Sequence, residues 1–276
     1  MSFRRIKEVL LHLYNQFDKD EVPALGAQIS YYLILSFFPF LIFLIVLIGY
    51  IPLTEERTLY ELALILPHDA YSLVEEIILE ITTADNTTLI SFGMLGTLWT
   101  ASRGTSAMIR GMNKAYNVKE DRPFWKVAGM GVIFTIGLAF MILFSLTLLV
   151  FGQLLGEMLI NQLNLSTLLE PTWRLVRYGV ALLALFSTFT LLYLFGPNYH
   201  LKLKNIYWGA LFSTVGWVVI SLGFAYYVNN FGNYTRVYGS IGGVMILLIW
   251  LYLSSLIVLM GAEVNSTIWV FSKRGK

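Results

Sequence analysis

From Tyr31 to Ile51 the chain runs for 21 residues without a single charge. As a helix, at about 1.5 Å per residue, that run is roughly 31 Å long, close to the ~30 Å of hydrocarbon in a bilayer. Comparable apolar stretches follow at about 127–154, 176–195, 206–231 and 238–271, and the first extends back to residue 24. Composition agrees: 57% of the residues are hydrophobic and 13% charged, whereas a soluble domain carries about 25% charged residues. There is too little polar material here to cover a water-exposed surface. The expected fold is all-α, an integral membrane bundle that forms one unit over residues 1–276.

A sixth span is less plain. The segment LISFGMLGTLWTASRGTSAMIRGMNKAY begins at Leu89 as membrane helix, then meets Arg103. At about 100° per residue, Gly96, Trp99, Arg103, Ser106, Arg110 and Asn113 fall on one stripe. An arginine in mid-membrane costs between ~3 and ~17 kcal/mol, so it faces a partner, a wet cavity or the interface. The basic residues decide that this helix, residues 89–112, crosses. With six spans and an inner N-terminus, fourteen lysines and arginines fall on inner segments: Arg4, Arg5, Lys7, Lys19, Arg110, Lys114, Lys119, Arg122, Lys126, Lys202, Lys204, Lys273, Arg274 and Lys276. Four fall outside, namely Arg57, Arg174, Arg177 and Arg236. That bias places both termini in the cytoplasm. Without the second span, the cluster at residues 114–126 would lie on the wrong side.

Two amphipathic pieces complete the expected six-helix bundle. Residues 3–20 carry Phe3, Ile6, Leu10, Leu13 and Phe17 at helical spacing, with no apolar core or cleavage site of a signal peptide. They either lie on the inner leaflet or pack beneath the bundle. Residues 52–88 form an outer, acidic loop of two short amphipathic helices divided by Pro67. Within the spans, Pro39 removes a backbone donor and is expected to kink the first one, as packing or as a gate. Gly209, Ser213 and Gly216 would admit a neighbouring backbone closely.

Isolated polar groups gather in the inner half of the membrane. Arg103 is about 10 Å from the inner end of its helix, Glu263 about 15 Å and Gln28 about 7 Å, counted at 1.5 Å per residue. Arg103 and Glu263 could lock the bundle as an ion pair. Alternatively, Gln28, Arg103, Arg110, Asn113 and Glu263 line a cavity for an anionic group, whose phosphate the planar fork of arginine suits. In a third reading Arg103 snorkels to water. The Gly196-Pro197-Asn198 break and Tyr238-Gly239 are the expected structural or hinge positions.

Catalysis has little footing. His12, His68 and His200 lack ligand-like spacing, there is no cysteine, and no serine has a base beside it. No metal site, cofactor or catalytic residue is expected, and the short basic loops serve topology better than nucleic acid.

Four blocks then carry a resemblance: ALGAQISYYLILSFFPF, LWTASRGTSAMIRGMNKAYNV, LYLFGPN and YGSIGGVMILLIWLYLSSLIVLMGAEVN. In order and spacing they resemble the YihY/BrkB family of bacterial inner-membrane proteins, over roughly residues 22–265. The family's motif residues map here onto Tyr31, Pro39, Arg103, Arg110, Asn113, Tyr116, Gly196, Pro197, Asn198, Tyr238, Gly239, Trp250, Gly261, Ala262 and Glu263; the acidic outer loop matches poorly. The resemblance implies a six-span bundle. It also brings an old ribonuclease label, which fits poorly with the absence of metal carboxylates or an acid/base pair. The expected function is transport, a flippase-like carrier of an anionic lipid or amphiphile; the alternative is a non-transporting scaffold of envelope assembly. Membrane lipids, a second copy or envelope proteins are the expected partners.

Overall fold

The computed structural model describes residues 3–50, 87–137, 140–141, 169–199, 201–231 and 241–274. Every regular element among them is a helix, as the apolar runs require. In chain order these are α1 (Phe3–Lys19), α2 (Val22–Tyr50), α3 (Thr87–Ala115), α4 (Phe124–Gly137), α5 (Leu169–Phe195), α6 (Leu203–Phe231) and α7 (Gly242–Arg274). Three of them hold segments long and apolar enough to cross a membrane: Leu175–Phe195, Leu203–Phe231 and Gly242–Ser272. They coincide with the last three expected spans. Helices α2 and α3, each 29 residues long, cover the first two, and α4 opens the third. The outer loop up to residue 86, most of the third span after Gly137, and Tyr238 and Gly239 lie outside the described residues. Pro39 lies within α2.

Contacts divide the chain into two units, residues 1–32 with 102–276, and residues 33–101. The first holds the functional candidates. Its spine is the pairing of α6 with α7. A methyl group added at Gly209 would collide with the Gly261 carbonyl and the Asn265 side chain, and one at Gly261 with Ser213 and Tyr193. The two backbones therefore nearly touch, which only glycine permits, and the expected stripe of small residues is this crossing. Further along, Trp217 donates to Ser254 at 3.1 Å and Trp250 donates back to Ser221 at 3.2 Å. Helix α5 joins α6 through Tyr193, whose hydroxyl is 2.6 Å from Ser213 Oγ and donates to the Val258 carbonyl at 2.7 Å.

The turns are cut by local chemistry. Helix α3 ends with Asn117 at φ 53°, a left-handed conformation that asparagine tolerates. The Val118 N–H then reaches the Asn113 carbonyl and the Asn117 N–H the Lys114 carbonyl, both at 2.9 Å, the two bonds of a Schellman cap. Pro123 precedes α4, and its carbonyl takes the Lys126 N–H. Glu21, at φ 55°, turns α1 into α2 and carries Asp20 inward to a buried position. Helix α1 docks on the end of α7, His12 meeting Phe271 edge-on, and leaves Leu10, Leu11 and Tyr14 exposed. Both readings of this helix thus find a surface: one side packs and another stays open.

Candidate functional site

The five sequence-derived candidates occupy three places. Gln28, Arg103 and Arg110 lie on exposed flanks of α2 and α3. Arg110 Nη2 donates to Gln28 Oε1 at 3.4 Å, a long contact that ties the two helices loosely. Arg103 and Arg110 are seven residues apart, two turns and about 10 Å along one face. The Arg103 guanidinium lies 5.6 Å from the centre of the Phe124 ring, a cation–π distance. Phe124 is the first residue of α4, so the charge reaches the level at which that helix starts. A long stem bringing its charge toward a helix terminus is the geometry of snorkelling.

Asn113 belongs to a second cluster, at the loop ends. Its amide donates to Glu120 Oε2 at 2.7 Å, and its carbonyl accepts the Asn198 N–H at 2.7 Å. Arg122 holds Glu120 through Nε and Nη2, at 2.7 Å and 2.6 Å, and passes a further bond to the Gly196 carbonyl at 2.9 Å. Asn198 closes the circuit by donating to the Lys119 carbonyl. This clasp joins the end of α3, the following loop and the Gly196-Pro197-Asn198 turn. The Arg122 side chain, with Asn113 also donating, holds the Glu120 carboxyl below the usual carboxylate range. Gly196 has no room for a side chain, because a methyl there would strike Met112.

Glu263 makes the third place, and its position corrects the expected pairing. Its charged neighbours are Asp20 and Lys19, not Arg103. Helix α7 buries Glu263 to 1% exposure, while Arg103 sits on an exposed face of α3. Glu263 and Asp20 approach closely enough for a hydrogen bond between their carboxyl groups. Beside them lie Tyr116 and Asn265, and Asn265 Oδ1 takes the Gly209 N–H at 2.6 Å. Burial raises the Asp20 carboxyl above its ordinary value, against the pull of Lys19, Lys114 and His12.

Sequence reasoning missed Asp20, Glu120, Arg122 and Tyr193. Glu120 and Arg122 read as ordinary loop charges, and Asp20 as the polar end of α1. Their i, i+2 spacing with one acid and one base was a signal for the Glu120–Arg122 contact; nothing in the sequence singles out Tyr193.

The sequence matches the family described as Virulence factor BrkB over residues 13–274. The chain belongs to the BrkB family. A ribonuclease-like protein, YfkH, of Bacillus subtilis (strain 168) is 38% identical over 257 residues, 93% of this chain and 94% of its own length. A UPF0761 membrane protein of Tolumonas auensis is 28% identical over 253 residues, covering 90% and 81% of the two chains. One from Aeromonas salmonicida is 25% identical over 276 residues, covering 95% and 89%. No solved structure matches. The BrkB assignment and the three apolar helices make this a membrane protein, and the four sequence blocks that carried the resemblance fall inside the matched range. In this BrkB-family chain the blocks also meet in space: Asn113 from the second contacts Asn198 from the third.

Proposed function

We propose that this BrkB-family protein is a carrier of an anionic lipid or similar amphiphile, with Arg103 and Arg110 receiving the headgroup in the inner half of the bacterial cytoplasmic membrane. One observation carries the reading: two arginines, two turns apart, stand on one exposed face of α3. Arg103 stacks on an aromatic ring, and the hydrogen bond of Arg110 among the described residues is to a neutral amide. An exposed guanidinium can add an anionic group to the contacts it already makes. Phosphate-bearing headgroups supply that anion, and guanidinium meets them in two-pronged fashion. The basic bias of the inner segments supports an orientation in which this face opens to the cytoplasmic leaflet. Among the described residues no three acidic or histidine side chains gather as metal-assisted phosphodiester cleavage would ask, and a carrier is the reading that fits better than a nuclease.

The test reconstitutes the protein in liposomes with a fluorescent phosphatidylglycerol or a fluorescent phosphatidylcholine. Transfer between leaflets is read by quenching with an impermeant reductant. Wild type should move the anionic probe faster than empty liposomes and faster than the zwitterionic one. Arg103→Ala should abolish the gain, and Arg103→Lys should recover little of it. Equal rates with and without protein would overturn the carrier and leave the envelope scaffold.

A further inference from the structure

All but one of the buried side-chain polar atoms left without a hydrogen bond among the described residues belong to Asp20, Tyr116, Glu263, Asn265 and Thr267. Glu263 and Thr267 share one face of α7, four residues apart. Tyr116 lies beside Asn265 and Glu263 at the end of α3, and Asp20 enters from the turn between α1 and α2. Asn265, Glu263 and Thr267 are at most 1% exposed. Buried donors and acceptors are normally paired, and an orphan is a cost to folding. Tyr116 and Asn265 lie within reach of one another, but the two touching carboxyls each keep a buried oxygen with no donor, and that marks a place where something small is bound.

We propose that Asp20 and Glu263 form a proton-binding site, one proton shared between their two carboxyl groups where the α1–α2 turn meets α7. Two carboxylates in contact and out of water cannot both ionise, and a shared proton converts their repulsion into a hydrogen bond. The surroundings offer no better neutraliser. From α1, His12 and Lys19 face Asp20, and from α3 Lys114 does. Lys19 is exposed, and Lys114 is already bound to Glu21 at 2.5 Å. Tyr116, Asn265 and Thr267 are neutral groups that can solvate the pair without discharging it. A divalent cation asks for six or more oxygen ligands, and among the described residues no three acidic or histidine side chains gather to hold one. A proton needs only the two.

Asp20 follows directly on α1, and α1 docks on α7. The shared proton therefore holds α1 down. Its loss leaves two buried charges in contact and loosens α1 from the end of α7. The site stands whether or not the protein carries a lipid.

The experiment uses the full chain in lipid nanodiscs. At neutral pH, wild type should show an infrared band of a protonated carboxyl, a reading that needs no variant. Unfolding it in weakly buffered solution at about pH 7 should release about one proton more than the Asp20→Asn, Glu263→Gln double variant releases. One linked proton changes the folded-to-unfolded ratio about tenfold per pH unit. The melting temperature of wild type should therefore fall as pH rises from about 6 to 8, and the single variants should flatten that slope. Hydrogen exchange of α1, corrected for the intrinsic pH effect, should quicken over the same range. No carboxyl band and no excess proton release would overturn the proposal. So would a melting temperature that follows sodium or potassium at fixed pH, since the occupant would then be a metal cation.

Discussion

The Asn198 backbone N–H donates to the Asn113 side-chain carbonyl across 85 residues of sequence, at 2.7 Å. That bond ties the turn after α5 to the last turn of α3, and the other half of the same amide holds Glu120. Asn113, placed by sequence among the substrate contacts, is engaged at both ends of its side chain.

Asn113→Ala should therefore lower stability by about 2–3 kcal/mol, because it leaves a partly buried N–H and a carboxylate oxygen unmet. Asn113→Asp should be worse at neutral pH, since it sets a second carboxylate against Glu120. Thermal melting in detergent across pH separates the two: only the aspartate variant should regain stability on mild acidification.

The Glu120–Arg122 contact should appear as an acid limb. The folded-state carboxyl of Glu120 is held below its unfolded value, first by the Arg122 hydrogen bond. Its stabilisation is present above the ordinary glutamate value of about 4.3 and is lost as pH falls through the lower folded value. Glu120→Gln should flatten the melting curve in that acid range. Arg122→Lys should keep part of the stability but lose the bridge to Gly196.

At the α6–α7 crossing, Gly209→Ala should cost about 1–3 kcal/mol, the usual penalty of overpacking. The obstacle is partly a backbone carbonyl, which cannot rotate away. Gly129 in α4 has nothing within 4 Å of the site of an added methyl, so Gly129→Ala should leave the melting temperature unchanged or slightly raised. Equal losses in both variants would remove the crossing as the cause.

Double-mutant cycles should find Arg103 and Glu263 uncoupled. The interaction energy between Arg103→Met and Glu263→Gln should stay within about 0.5 kcal/mol, as for sites sharing no partner. The same cycle on Asp20 and Glu263 should give a clearly larger value. A strong Arg103–Glu263 coupling would restore the ion pair expected from depth alone.

Orientation can be read without background, because the chain contains no cysteine. Lys119→Cys should react with an impermeant maleimide only after the inner face is opened. Glu170→Cys should react from outside. Labelling of position 119 in intact cells would remove the six-span arrangement.

Much of the fold was legible because apolar length is a property of segments, not of contacts. Residues 176–195 and 206–231 were found to within three residues at either end, and the small-residue crossing from Gly209, Ser213 and Gly216. Depth was counted along each helix from the sequence, which is why Arg103 and Glu263 looked like neighbours. The azimuth of one helix about another was not. Glu263 turns toward α1 and Arg103 toward α4, and that depends on how the α1–α2 turn packs. The left-handed Glu21 that aims Asp20 inward has no sequence signature, since glutamate is a poor candidate for that conformation. The clasp around Arg122 escaped for a related reason: loop charges form specific contacts only once a distant turn supplies the carbonyl.

Tyr193 has a consequence for how the chain is made. Its hydroxyl is completed by Ser213 and by the Val258 carbonyl, which lies 65 residues downstream. At about 5–20 residues per second of synthesis, the second partner emerges roughly 3–13 s after the tyrosine. For most of that interval Ser213, 20 residues downstream of the tyrosine, is the partner on hand, and the bond to α7 is still to be made. A chain cut before Val258 would leave the Tyr193 hydroxyl without its α7 carbonyl, and the complete one encloses it among three helices.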